Sequence, residues 1–238
     1  MITEQSRKEW IGGSDAIKLY ADFTKPTFID WWEERKHGNR SLSLDNRHIW
    51  SGNILEQYVL QYLNIPETQW NVQITLKDSI AGVNTDAFDG RIVEVKTILW
   101  DHLYKYVNGN MVTKAYRAQI LHGMVVSGAE EAVVYMLGMS DREKAWPFSV
   151  IPEIHKRLWV KKFHVSDFSD ENFNPQDHLG RIKYLDRCFA RGVQPTNEGL
   201  NQFLNNFLNK VQNELSTKGS SQDGGRRPEV PGHTLLAL

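Results

Sequence analysis

Three textures alternate along the chain. Near the start, GGSDAIKLYAD, short and Gly-led, and PTFIDWWEERKHG, with Pro at its head and Gly at its end, read as helices. Between Asn46 and Leu63, the residues Ile49, Ile54, Leu55, Tyr58, Val59, Tyr62 and Leu63 recur at helical spacing, and Asn64 to Glu67, with Pro66, closes that helix. NVQITLKD, IAGVNTDAF and RIVEVKTILW are rich in β-branched residues and separated by turn residues, which predicts consecutive strands. Helical spacing returns from Thr113 to Gly128, and EEAVVYMLGM reads as a further strand. The central block is therefore β-β-β-α-β. Strands are predicted again over Ala145 to Ile151 and Leu158 to Val165, then helices over His178 to Arg191 and Glu198 to Leu215. Trp31 and Trp32 read as core or interface. The pattern predicts an α/β (α+β) domain with a central mixed β-sheet flanked by helices, helical additions at both ends, a domain over 1–215, and a disordered tail over 216–238 where Gly, Pro and charge mix.

Composition changes this picture little. With 40% hydrophobic and 24% charged residues, 238 residues bury a proper core. The single cysteine, Cys188, forms no internal disulfide, no apolar stretch approaches a membrane span, and MITEQSRKEW lacks the apolar core of an export signal. A reducing, cytoplasmic setting is expected, bacterial or in a phage-infected host. A net charge of −1 and a pI near 6.7 argue against a protein that coats nucleic acid by bulk charge. An enzyme on DNA needs only local positive charge. The chain has no HExxH, zinc-type Cys/His cluster or phosphate loop ending in GK[ST], and no convincing Ser-His-Asp set. ATP is not implied.

Candidate chemistry lies in Glu94-Val95-Lys96. An acid two residues before a lysine is expected about twice by chance in a chain of this composition. The other match, Glu34-Arg35-Lys36, falls in a predicted helix, where i and i+2 point apart. Glu94 and Lys96 fall in a predicted strand, where i and i+2 share a face. A divalent metal requires a second carboxylate on that face, and the preceding strand offers Asp86, with Asp89-Gly90 at the turn. A two-residue loop, Asp89-Gly90, turns Asp86 away from Glu94. A three-residue loop, Phe88-Asp89-Gly90, or an equivalent bulge, puts it on the same face. Turn chemistry alone leaves both open, and Asp89 itself reads as a turn residue. With the right register, Asp86, Glu94 and the Val95 carbonyl are oxygen ligands suited to Mg²⁺, and Lys96 is placed to orient or deprotonate a water or to neutralise a phosphorane. The alternative is a solvated hairpin face with a surface ion pair.

A series of segments from Arg7 to Gly128 resembles the PD-(D/E)XK nuclease superfamily, and within it the YqaJ-like viral recombinases typified by phage lambda exonuclease. RKEWIGGSDA resembles the opening Arg and turn Ser, WSGNILEQYVLQYL the Gly-x-x-x-Glu helix with Gly52 and Glu56, VNTDAFDGRIVEVKT the metal-site hairpin, and AYRAQILHGMVVSGA the following Gln-bearing helix. The eight positions from Asp86 to Glu94 are a little tighter than the family pattern. The resemblance implies a restriction-endonuclease-like core and an Mg²⁺-dependent deoxyribonuclease, with Mn²⁺ able to substitute. Its implied activity is 5′→3′ exonuclease on linear double-stranded DNA during phage-type recombination. It implies metal binding by Asp86, Glu94 and Val95, catalysis by Lys96, support from Glu56 and Gln119, and a grip on the 5′-terminal phosphate by Arg7 and Ser14. A single-strand annealing protein and a ring-shaped trimer are implied as partners. The iron–sulfur versions of the superfamily need more cysteines than one.

Other readings of these residues stand beside it. Arg7 and Ser14 read equally as a surface arginine and a helix N-cap, Glu56 as a solvated helix residue, and Gln119 as a cap on a backbone group. The run IHKRLWVKKFH reads either as a DNA path, with Trp159 among Lys156, Arg157 and Lys161, or as a strand with a charged outer face. A sequence- or structure-specific endonuclease and a non-catalytic DNA-binding protein are the competing functions.

Overall fold

The structure, a computed structural model, describes residues 11–37, 47–109, 112–169 and 173–219. Arg7 lies outside the described residues, as do Asn46 and residues 220–238 of the expected tail.

A 3₁₀ helix, Gly13–Tyr20, leads into α1 (Pro26–His37) and α2 (Arg47–Tyr62). The chain then forms β1 (Trp70–Thr75), β2 (Gly82–Phe88) and β3 (Ile92–Leu99), crosses over through α3 (Trp100–Gly109) and α4 (Lys114–Ser127), and returns as β4 (Glu131–Met139). Two short helices, α5 (Asp141–Ala145) and α6 (Ile154–Arg157), precede β5 (Leu158–His164), α7 (Pro175–Arg191) and α8 (Asn197–Gly219). One mixed sheet results, in the order β1-β2-β3-β4-β5. Among the five described strands only β3 and β4 pair in parallel, because the crossover through α3 and α4 carries the chain back to the starting end.

Helix ends follow the sequence closely. Thr113 caps α4 by accepting the Tyr116 N–H, and Gly128 closes it at φ 76°, a left-handed conformation that suits glycine. Asn174 and Pro175 start α7 in the same manner. The long helix predicted up to Leu63 stops at Tyr62, with Asn64 in the left-handed region at φ 54°.

Two expectations fail. The segment Ala145 to Ile151 is not a strand. Ser140 and Glu143 form a capping box that nucleates α5, and Pro147, which has no N–H for a ladder, opens a 3₁₀ turn instead. The central block also gains α3, so that its order is β-β-β-α-α-β, and Trp100, the last residue of a predicted strand segment, opens this helix. At the other end, α8 continues to Gly219, four residues past the expected boundary at 215.

Packing divides around the sheet. On one face, Ile92 and Ile98 of β3 join Leu121 and Met124 of α4, Leu19 of the 3₁₀ helix, and Leu185 of α7 in the larger core, which also takes in Trp31 and Trp32. On the other, Val93 and Val95 meet Leu55, Val59 and Leu60 of α2. Alternation along β3 therefore sends Glu94 and Lys96 toward α4. Within the larger core, His122 and His178 are fully buried and hydrogen-bonded in a row: Tyr20 Oη lies 2.6 Å from His178 Nδ1, and His178 Nε2 lies 3.1 Å from His122 Nδ1.

Candidate active site

The register of the β2–β3 hairpin decides what the site contains. Phe88 pairs with Ile92 and Ala87 with Val93, which leaves a three-residue loop, Asp89-Gly90-Arg91, with Gly90 at φ 92°. This is neither loop read from the sequence. The two-residue turn is absent, and the three-residue one begins one position later, so that Asp86 comes level with Glu94. Asp89 is a turn residue whose carboxylate binds Arg91, with 3.0 Å to Nε.

Beyond the Ala87–Val93 pair the β2–β3 ladder ends, while β3 stays paired with β4 along its whole length. Two side chains occupy the parting. The Thr85 hydroxyl lies 2.7 Å from the Ala87 carbonyl and 2.8 Å from that of Val93. Asp86 Oδ2 accepts the Val95 N–H at 2.6 Å. A residue's N–H and C=O leave a strand on the same edge, so the Val95 carbonyl is also on the Asp86 side.

Glu94 is buried, with a side chain 3% exposed, while Lys96 beside it is 22% exposed. Lys96 Nζ donates to Glu94 Oε2 at 2.6 Å, and Gln119 Nε2 donates to the same oxygen at 2.9 Å. The other oxygen, Glu94 Oε1, is buried and has no hydrogen-bond partner among the described residues. Glu56 approaches from α2, whose Gly52, one turn earlier, lies against Thr97 of β3. Asp86, Glu94, Lys96, Glu56 and Gln119 are thus brought together, with the backbone of Val95 among them.

Three carboxylates face one ammonium here, and their titration reflects it. Burial raises the Asp86 carboxyl well above its ordinary value, the charge of Glu94 adds to this, and Lys96 opposes it. Burial raises Glu56 to about 6, with Lys96 partly offsetting the effect and Glu94 reinforcing it. For Lys96, burial works against the ammonium, but the charges of Glu94 and Asp86 and the bond to Glu94 outweigh it and hold the group above the usual lysine range.

The donor set fits a hard divalent cation: an unpartnered buried carboxylate oxygen on Glu94, a second carboxylate on Asp86, and a backbone carbonyl nearby. Among the described residues no group of three or more His, Cys, Asp and Glu side chains is placed to hold a metal ion.

Ser14 is exposed in the second position of the 3₁₀ helix, whose N-cap is Gly12, so it is not the N-cap that its sequence context also allowed. Trp159 is partly buried against the larger core and is not a free ring, and Arg157 binds Glu143 and Glu153.

Several neighbours of the site escaped the sequence reading. Tyr116 precedes Gln119 by three residues on α4, one helical turn, and senses the charges of Lys96 and Glu94; that spacing was a usable signal. Gly13 passes so close to α4 that a Cβ there would lie 3.1 Å from Gln119 Cγ. Nothing local marks Gly13 or Thr85 for these positions. Asp15, just beyond Ser14, is buried and ion-paired to Arg35, and accepts the Trp31 indole N–H at 3.2 Å.

No protein-family model matches the chain, and no curated protein matches it. Solved structures do. The alkaline exonuclease LHK-Exo from Laribacter hongkongensis matches with a TM-score of 0.52 at 12% identity, over 91% of this chain and 96% of that one. The same enzyme in complex with dAMP matches with a TM-score of 0.53 at 12% identity, over 91% and 97%. Identity this low speaks for the fold, and the match spans nearly the whole of both chains. The chain shares the fold of this alkaline exonuclease, with its mixed sheet flanked by helices as expected from the sequence.

Proposed function

We propose that this chain is a divalent-metal-dependent deoxyribonuclease that degrades linear double-stranded DNA from the 5′ end, and so supplies single strands for phage-type recombination. One observation carries the reading: Asp86, Glu94 and Lys96 converge where β2 parts from β3, with Glu94 Oε1 buried and unpartnered. Asp86, Glu94 and the Val95 carbonyl would hold the ion, Mg²⁺ or Mn²⁺. The chemistry such an ion supplies when bound is polarisation of the scissile phosphate and a lower pKa for a water.

The protein's own part follows from the geometry. Lys96 serves to orient or deprotonate the attacking water or to neutralise charge growing on the phosphorane. Gln119 and Lys96 together fix one oxygen of Glu94 and leave the other directed for ligation. Glu56, with a carboxyl raised to about 6, is the group suited to exchange a proton near neutral pH. Arg7 and Ser14 are assigned to the 5′-terminal phosphate on the resemblance alone. An alkaline exonuclease of the same fold binds dAMP, which is consistent with a nucleotide at such a site. A single-strand annealing partner and a ring-shaped homotrimer belong to the same reading.

The test is a linear duplex with 5′-phosphorylated ends beside a closed circle, both in Mg²⁺. Shortening of the linear strand from its 5′ end with the circle intact is the expected result; nicking of the circle identifies an endonuclease instead. Lys96→Ala is expected to lower the rate by at least about a hundredfold with the fold retained by circular dichroism. Unchanged cutting by that variant refutes the site.

A further inference from the structure

Three aromatic rings stand open to solvent on the α2 side of the molecule: Trp50 is 46% exposed, Trp146 63% and Phe148 39%. They touch one another. Trp146 and Phe148 have centroids 5.1 Å apart at 63°, and Trp50 and Phe148 6.5 Å apart at 81°. Near-perpendicular contacts use the rim of one ring and leave flat faces uncovered. Clustered exposed aromatics are rare enough on a protein surface to mark a binding surface.

Their place in the fold indicates what binds. Trp146 directly follows α5, which begins two residues after β4 ends, so the cluster sits beyond the carboxyl end of one strand of the parallel β3–β4 pair. Ligands of open sheets collect at such ends. Trp50 shares α2 with Glu56, six residues and roughly 9 Å along the axis away, and leaves the helix about 240° around from it. Charge agrees with a polyanion. In a chain of net charge −1, residues 141–157 carry Arg142, Lys144, Lys156 and Arg157 against Asp141, Glu143 and Glu153. Lys144 pairs with Asp141, and Arg157 with Glu143 and Glu153, so that among the described residues Arg142 and Lys156 have no carboxylate partner.

We propose that Trp50, Trp146 and Phe148 form a stacking platform for unpaired nucleobases of a DNA strand that runs over the α2 side of the sheet. Stacking of this kind tolerates any base, as an enzyme that degrades DNA without regard to sequence requires. The proposal rests on the nuclease reading for its substrate, but its readout is separate.

The full chain is titrated in EDTA, so that nothing is cut, with a short fluorescent oligothymidylate and with an abasic strand of equal length. Wild type is expected to prefer the oligothymidylate. Trp146→Ala should weaken that strand about tenfold and leave the abasic strand unchanged, while Trp146→Phe keeps most of the preference. The idea is overturned by equal affinity of wild type for both strands, by equal loss on both strands, or by no loss. A Trp146→Ala chain that sediments as a smaller species also overturns it, because the patch is then a contact between copies. Preference for bases in a chain that never cuts DNA keeps the platform and refutes the nuclease; cutting without preference does the reverse.

Discussion

Asp86 stands where a neighbouring strand would: its carboxylate takes the Val95 N–H at 2.6 Å just past the last β2–β3 backbone pair. The carboxylate thereby satisfies the β3 edge and brings a negative charge beside Glu94. These two roles can be separated. Asp86→Asn keeps an acceptor for Val95 and removes a charge that burial disfavours, so its melting temperature at pH 8 in EDTA should equal or exceed that of wild type. Asp86→Ala leaves a buried donor unmet, at a cost of about 1–3 kcal/mol. Both variants should lose activity. An Asn variant as unstable as the Ala variant contradicts the assignment.

Glu56 gives a pH signature. Its folded-state pKa, about 6, lies above the ordinary 4.5, so its contribution is favourable below 4.5 and is lost as pH rises through 6. At pH 8 the buried charge is a liability of about 2 kcal/mol. Glu56→Gln should therefore raise the melting temperature at pH 8, leave it nearly unchanged at pH 4, and reduce cleavage. Thermal melts across that range decide it.

A divalent ion should relieve the same repulsion. At a concentration a hundred times its Kd, Mg²⁺ should stabilise the fold by roughly 2.7 kcal/mol, a rise of roughly 5 to 10 °C. Asp86→Asn combined with Glu94→Gln should abolish that rise. A shift that survives the double substitution places the ion elsewhere.

The buried histidines set the opposite slope. Burial lowers His122 to about 4, with its bonds to the Gly82 and Ile11 carbonyls partly compensating, and lowers His178 well below 6.5. A depressed histidine stabilises the fold above its unfolded pKa of about 6.5, and that stability is lost as pH falls toward 4. The loss from His122 is on the order of 3 kcal/mol. Because Glu56 gains stability over part of that window, Glu56→Gln should steepen the decline between pH 6 and 4. Acid melts of the two proteins provide the comparison.

Sequence by itself determined most of the elements and the pairing of Glu94 with Lys96. Both are local: helix caps such as Thr113 and Gly128 act within a turn, and residues two apart in a strand share a face whatever surrounds them. Local pattern does not decide Ala145 to Ile151, where Pro147 denies a ladder its N–H, or α3, where a helix follows a strand without a break. Tertiary structure alone decided the rest. Whether Asp86 meets Glu94 depended on a one-residue difference in loop register, which Asp89-Gly90 permits in more than one form. Glu56 and Gln119 reach Glu94 and Lys96 because α2 and α4 pack on opposite faces of a sheet that opens beside β3. Such contacts join residues 25 or more positions apart and are set by how those faces are buried, which no short stretch of sequence encodes.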